Sequence, residues 1–204
     1  MPWQHSPSKH VPVYILTHSP PKRGAGWPRV LSATLVMGLA CMNNAVAADA
    51  DKAPFGLSWG PVTSVPRPSM ADREGNVTAL FYFHGQAPAS GPDTQQVVLE
   101  VCRDEGLQQV IWVSQPFPEA ELAAKYEPIY REGVRRHGEP LKDPRPDTVL
   151  WPTSRTLLAI RAAAGARKRL IMIATGDRYE TCSAAHEIAT GHPASVHTSA
   201  LLDP

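Results

Sequence analysis

The chain has 204 residues and a formal net charge of +1, but its charges are distributed unevenly along the sequence. All 19 acidic residues lie after Ala47, and the first 47 residues carry four basic side chains, so the remainder has a net charge of −3. This balance excludes a basic nucleic-acid-binding protein. The hydrophobic share of 43% excludes a disordered chain, and three cysteines are too few for a dense disulfide scaffold or a four-cysteine zinc site.

The first segment with a clear pattern is typical of a secretory signal. Residues 30–42 form an uncharged apolar run that follows Lys22, Arg23 and Arg29, and Ala45-Val46-Ala47 offers a small-x-small cleavage site. The run is shorter than the ~20 residues that span a bilayer. We therefore predict the apolar and cleavage regions of a signal peptide over 30–47, with a buried core helix as the alternative. Residues 1–29 would contain the basic signal region and a leader that is disordered or results from a wrongly assigned start.

A signal peptide of this kind predicts a periplasmic or secreted protein without a transmembrane span after cleavage. Cys41 offers a lipoprotein alternative, since Ala40 is the small residue that a lipobox places before its cysteine. The match is partial, because Gly38 occupies the position where a lipobox usually has leucine.

Two cysteines remain after the cleavage site, Cys102 and Cys182. An oxidising compartment favours a disulfide between them, and the alternative is two free thiols. Such a bridge closes a long loop, for which the chain-entropy estimate is about 4.5 kcal/mol of stabilisation. The sequence has no Cys-x-x-Cys motif that would indicate a redox enzyme.

Residues 48–193 have the pattern of one α+β domain, and residues 194–204 are predicted to be a flexible tail. Residues 61–75 contain three prolines and predict a loop. Aromatic and β-branched runs predict strands over 78–83, 96–102 and 107–114, the last two forming a hairpin around Arg103-Asp-Glu-Gly106.

One long helix is predicted after this hairpin. It begins at Pro118 and ends at Gly138, and its apolar residues recur at helical spacing: Leu122, Tyr126, Ile129, Tyr130 and Val134. Pro128 lies within this pattern, so either one kinked helix or two short helices would satisfy it.

Three further strands are predicted over 148–151, 156–161 and 169–174, with a charged loop over 142–147 and one or two helical turns over 183–189. The order of hairpin, helix and meander lacks strict β-α alternation. It therefore predicts a single antiparallel sheet with one main helix packed on one face, rather than a parallel doubly wound fold.

Three histidines near the C-terminus form the candidate metal ligands: His186, His192 and His197, with Glu187 beside the first. Neutral imidazoles bind zinc well, and three protein ligands suffice for an open zinc site. The His-Glu-x-x-His motif of zinc proteases is absent, since the next histidine follows His186 by six positions. Three histidines near a polar terminus are more often ordinary surface residues, so the sequence predicts no cofactor, with zinc as the alternative.

Two other groups of residues are candidates for binding a partner. Trp59, Trp112 and Trp151 could line a groove, although tryptophans in strands more often pack in the core. A basic cluster that includes Arg167, Lys168 and Arg169, with Arg155 and Arg161 nearby, could dock an acidic partner or lipid headgroups. The alternative is a solvated hairpin tip.

The opening Phe55-Gly-Leu-Ser-Trp-Gly60, placed after a signal peptide, resembles the start of several uncharacterised exported bacterial domains. Tyr179-x-x-Cys-Ser-x-x-His186 and Thr190-Gly-His192 fit the same resemblance. It implies an exported domain and no catalytic residues.

The sequence contains no complete catalytic set, so an enzymatic activity is left open and a non-enzymatic role is favoured. We predict an exported domain that binds another envelope protein or a ligand. The alternatives are a small metal-assisted enzyme or metal-binding protein that uses the C-terminal histidines, and an inhibitor-like module.

Overall fold

The computed structural model describes residues 52–63, 65–83, 88 and 90–194. The predicted signal segment over 30–47, the leader before it, Cys41 and His197 lie outside the described residues.

The described chain contains two runs of four strands, each followed by a helix. The first run is β1 (Met70–Glu74), β2 (Val77–Phe83), β3 (Thr94–Cys102) and β4 (Gly106–Ser114), followed by α1 (Glu119–His137). The second is β5 (Leu141–Lys142), β6 (Thr148–Trp151), β7 (Thr156–Ala163) and β8 (Arg167–Thr175), followed by α2 (Tyr179–Thr190). Two 3₁₀ turns lie at Pro54–Gly56 and Pro152–Ser154.

All eight strands belong to one antiparallel sheet with the order β1-β2-β3-β4-β8-β7-β6-β5. Each run is a meander, and the two meanders join where β4 pairs with β8, with Ile111 opposite Ile173. The predicted α+β class, the antiparallel sheet and the single main helix packed on one face are confirmed.

The sheet buries side chains on both of its faces. We call the side that packs against α1 the helix face; its core includes Tyr82, Leu99, Trp112 and Leu170. The other side, which we call the opposite face, has a core that includes Ala79, Val98, Ile111 and Ile171. Burial on both sides explains why the central strands have nearly continuous apolar sequences.

The helix α1 packs through the apolar stripe predicted from the sequence. Leu122 is buried, and Tyr126 and Ile129 pack against the helix-face core. A single helix runs through Pro128, which lies inside it. Since proline has no N–H, the carbonyl of Ala124 loses its usual hydrogen-bond donor four residues later.

The prediction of a loop over 61–75 is wrong for its last part, because Met70–Glu74 forms the edge strand β1. Met70 pairs with Phe81 and Glu74 with Val77. All five side chains of β1 are exposed, so the strand lacks the alternating apolar pattern that predicts a half-buried strand. Its charged residues suit a sheet edge, where charge discourages pairing with another chain.

Two smaller differences concern the second half of the chain. Leu141–Lys142 forms a two-residue edge strand where the sequence predicts the start of a charged loop. The final helix spans Tyr179–Thr190, which is longer than the one or two turns predicted. Within the described ranges, no helix is long and apolar enough to cross a membrane.

Candidate metal centre

A disulfide joins α2 to the sheet. The Sγ atoms of Cys102 and Cys182 lie at disulfide distance, and their Cα atoms are 6.1 Å apart. The predicted pairing is therefore present. Cys102 and Cys182 pack with Val77 and Ala194 in a small buried cluster. Since Val77 and Ala79 point to the same side of β2, α2 lies on the opposite face of the sheet from α1.

Cys102 and Glu74 lie in the same row of paired residues across three strands of the sheet. Glu74 of β1 pairs with Val77 of β2, and Val77 pairs with Cys102 of β3. Glu74 is the last residue of β1, so its carboxylate stands at the end of that strand, two strands away from Cys102.

Two histidines approach this carboxylate. His186 Nε2 lies 3.9 Å from Glu74 Oε2, and His192 Nε2 lies 3.2 Å from Glu74 Oε1. The two imidazole rings meet edge to face, with centroids 5.4 Å apart. One ligand atom from each of the three residues lies within 4.8 Å of the others. We call these three residues, Glu74, His186 and His192, the His-His-Glu cluster.

The end of α2 brings His192 back toward the sheet. Gly191 adopts a left-handed conformation with φ +85°, and its N–H donates to Glu187 O at 2.8 Å. This conformation closes the helix and reverses the chain. Thr190 Oγ1 then lies 2.9 Å from His186 O and 3.0 Å from His192 O, which links the two histidines through one hydroxyl.

Packing fixes the ring of His186. Only 4% of its side chain is exposed. Gly75 follows Glu74 with φ +53°, and a Cβ atom there would lie 3.1 Å from His186 Nδ1 and 3.0 Å from Thr190 Cγ2. Gly75 is therefore needed both for the turn after β1 and for the close approach of α2.

The Nδ1 atoms of His186 and His192 are buried and have no hydrogen-bond partner among the described residues. A metal-binding histidine usually donates its second ring N–H to a neighbouring acceptor. Here the ring orientations depend on packing against the β1–β2 turn and on the closure of α2, while both Nε2 atoms face the carboxylate.

The separations between Glu74 and each imidazole fit ligands of a single metal ion. Zinc binds imidazole nitrogen and carboxylate oxygen at about 2.1 Å, so two ligands of one ion lie at most about 4.2 Å apart. The distances of 3.2 Å from Glu74 Oε1 to His192 and 3.9 Å from Glu74 Oε2 to His186 are within that limit, and the ligand atoms of the two histidines lie within 4.8 Å of each other. Two histidines and one carboxylate are also an established ligand set for zinc sites with an open position.

The cluster borders a cavity of about 20 Å³, whose other walls include Val77, Ala79 and Pro193. A single water needs about 10–15 Å³, so the cavity has room for an ion and about one water. Asp72 also lines it, but its carboxylate is not among the ligand atoms that lie within 4.8 Å of one another.

The structure therefore brings together two of the three predicted histidines. His197 lies outside the described residues, and Glu187 is exposed and not part of the cluster. Glu74 could not be found from the sequence because it lies in an edge strand that the apolar pattern does not predict. The sequence signal for this ligand was an acidic residue directly before the turn glycine Gly75, but that signal does not indicate that the residue lies near α2.

The three candidate tryptophans have different surroundings. Trp112 Nε1 donates to Thr94 Oγ1 at 2.8 Å, and Trp151 Nε1 donates to Gly138 O at 2.9 Å. Trp151 is 2% exposed and packs against α1. Trp59 is half-buried against the helix-face core. Trp112 and Trp151 thus pack in the core with their indole N–H groups hydrogen-bonded.

Trp112 forms part of the floor of a cleft of about 380 Å³ beside α1, together with Phe117 and Leu170. A salt bridge of 2.9 Å between Lys125 and Asp93 closes one side, and Lys125 Nζ lies 5.5 Å from the Phe117 ring centroid. The cleft is mainly apolar, and its cation already has a carboxylate partner.

The basic cluster is divided between the two faces of the sheet. Lys168 forms a salt bridge of 3.0 Å with Glu119 at the start of α1. Arg161 and Arg169 pair across β7 and β8 and so share the opposite face. Arg167 is exposed near the hairpin tip. The cluster is therefore divided between Lys168 on the helix face and three arginines on the opposite face, of which Arg161 is buried.

A buried acid lies close to the candidate centre. Glu100 pairs with Ala79, which lines the small cavity, and only 1% of Glu100 is exposed. Burial raises the pKa of its carboxyl group to about 8. Neither of its oxygens has a hydrogen-bond partner in the described part of the chain, so its neutral form is the one that the folded protein tolerates at pH 7.

No protein-family model, curated protein or solved structure matches this chain. The functional assignment therefore depends on the geometry of the site.

Proposed function

We propose that this protein is an exported, non-enzymatic domain that binds a divalent transition metal ion, with zinc as the first candidate, through Glu74, His186 and His192. The convergence of the two Nε2 atoms on one carboxylate carries this proposal. Ordinary surface histidines do not account for a buried imidazole held against a carboxylate by a glycine turn and a disulfide-bonded helix.

Two further observations support export and metal capture. The disulfide between Cys102 and Cys182 is typical of a protein in an oxidising compartment, as the predicted signal sequence requires. The cavity of about 20 Å³ beside the cluster matches the size of an ion with about one water.

The proposal is tested by calorimetric titration of Zn²⁺ into the purified protein with its disulfide oxidised. We expect saturable binding of one ion per chain. Glu74→Gln should weaken binding by at least about 100-fold, because the loss of even an outer partner of a metal ligand costs about 10–100-fold. Glu74 has an exposed side chain at the end of an edge strand, so this variant should keep the fold.

Two matched variants serve as controls. Glu187→Gln removes an exposed carboxylate that follows His186 on α2 but is not part of the cluster, and His137→Gln removes a histidine from α1 on the other side of the sheet. Both should bind zinc within a few-fold of the wild type. The proposal is wrong if the wild type shows no saturable binding, or if Glu74→Gln binds zinc as tightly as the two controls do.

A further inference from the structure

The attachment of α2 to the sheet depends on few side chains. Of its twelve residues, only Cys182 and His186 are buried, and Ile188 is 89% exposed. Asn76 Nδ2 donates to Cys182 O at 3.3 Å, and Arg178 N–H donates to Gln108 Oε1 at 3.1 Å at the start of the helix. Helices of this length are marginal in water without tertiary contacts.

Cys182 and His186 are four residues apart, so they lie on one stripe of α2 and are separated by about 6 Å along its axis. Cys182 is fixed above Cys102 of β3, and His186 faces Glu74 of β1. These two strands are separated by β2, which corresponds to about 9.6 Å at the usual strand spacing. The line from Cys182 to His186 therefore runs from β3 toward β1. The disulfide fixes the Cys182 end of this line and so determines where His186 lies.

We infer that the His-His-Glu cluster assembles only when the Cys102–Cys182 bridge is oxidised, so that metal binding is coupled to the redox state of the protein. This inference rests on the proposed metal binding. The bridge fixes one end of α2, and His192 follows the other end, so loss of the bridge would release both histidines from Glu74.

Reduction by a dithiol transfers two electrons. The dithiol attacks the protein disulfide, its own two sulfurs form a disulfide, and Cys102 and Cys182 each receive one hydrogen. The metal keeps its oxidation state and leaves as the divalent ion when two of its three ligands move away. A newly made chain would then acquire its metal only after oxidation in the exported compartment.

Reduction itself is not the cleanest test, because it creates two thiols beside Glu105. Ligand atoms of Cys102, Glu105 and Cys182 lie within 4.8 Å of one another, and thiolates bind zinc strongly. Replacement of both cysteines by serine opens the bridge without supplying thiolates. We therefore choose the double variant Cys102→Ser/Cys182→Ser for the titration.

The test compares zinc titrations of the oxidised wild type, the double serine variant and Glu74→Gln, with tryptophan fluorescence as a readout of the buried core around Trp112 and Trp151. We expect the double variant to keep native fluorescence and to bind zinc at least about 100-fold more weakly than the wild type. Equal affinity of the double variant and the wild type overturns the redox coupling but leaves the proposed metal binding intact. Absence of binding to the wild type overturns both.

A second measurement covers the case in which the double variant does not fold. Cys102 and Cys182 are both buried, so a reductant reaches the bridge only when α2 moves away from the sheet, and an ion that holds both histidines to Glu74 opposes this movement. Zinc should therefore slow the reduction of the wild-type bridge by a phosphine, followed through the appearance of free thiols, but not in Glu74→Gln. Equal protection by zinc in the two proteins, or none in a wild type that binds zinc, contradicts the inference.

Discussion

At the scale of single residues, Glu74 and Gly75 decide whether the candidate centre forms. Glu74 supplies the carboxylate, and Gly75 provides both the positive φ of the turn and the space for His186. The two histidines could be found from the sequence because they lie close together near its end. Glu74 could not, because 112 positions separate it from His186, and only strand pairing and the disulfide bring the two together.

Glu100 gives the protein a pH dependence that can be measured. The folded pKa of about 8 is higher than the unfolded value near 4.5, so between these values the folded chain holds a proton that the unfolded chain has released. The free energy of unfolding should therefore fall as pH rises from about 5 to 8, with a contribution of up to about 1.4 kcal/mol per pH unit.

The measurement is urea unfolding at several pH values, with a chelator present so that metal binding does not contribute. Glu100→Gln should remove this contribution and be more stable than the wild type at pH 8. Glu187→Gln, at an exposed position of α2, should keep the wild-type dependence. Parallel pH profiles for wild type and Glu100→Gln would show that the buried carboxyl group does not titrate in this way.

At the scale of elements, α1 approaches the sheet through Gly133. A Cβ atom at this position would lie 2.5 Å from the indole of Trp151, which is buried and held by its hydrogen bond to Gly138 O. The sequence could predict this helix from its apolar stripe. It could not predict that a glycine inside the helix is there to admit Trp151, since that contact joins α1 to β6.

Gly133→Ala should therefore destabilise the protein. Alanine gains about 1 kcal/mol over glycine from helix propensity, but overpacking of a fixed core costs about 1–3 kcal/mol. We expect a net loss of about 1 kcal/mol and a Tm lower by about 2–4 °C, measured by thermal unfolding.

Removal of the steric conflict provides the control for this variant. In the background of Trp151→Leu, Gly133→Ala should be neutral or stabilising, because the indole is gone. A higher Tm for Gly133→Ala in the presence of Trp151 would contradict this prediction, because it would show that the indole leaves room for a methyl group at position 133.

At the scale of the whole molecule, two meanders share one sheet, and the helix that follows each covers a different face. The sequence predicts the antiparallel sheet and α1 because the central strands and the helix stripe have strong local patterns. The edge strands β1 and β5 could not be predicted, because all of their side chains are exposed and backbone pairing alone defines them. The junction of β4 with β8 is a long-range pairing with no local signal.

The two faces of the sheet have different roles in the proposed function. Packing against α1 stabilises the helix face, whereas α2 and its disulfide hold the two histidines of the cluster over the opposite face. The proposed metal centre lies at the edge of the sheet, between β1, whose side chains are all exposed, and α2, which buries Cys182 and His186. Oxidation of one bridge would then determine whether it assembles.

The most direct test of the proposed metal site is a crystal structure of the oxidised protein grown with zinc, with anomalous diffraction recorded on both sides of the zinc absorption edge. We predict one strong anomalous peak about 2.1 Å from His186 Nε2, His192 Nε2 and a carboxylate oxygen of Glu74. A well-ordered cluster without such a peak, or a peak held by other residues, would contradict the assignment.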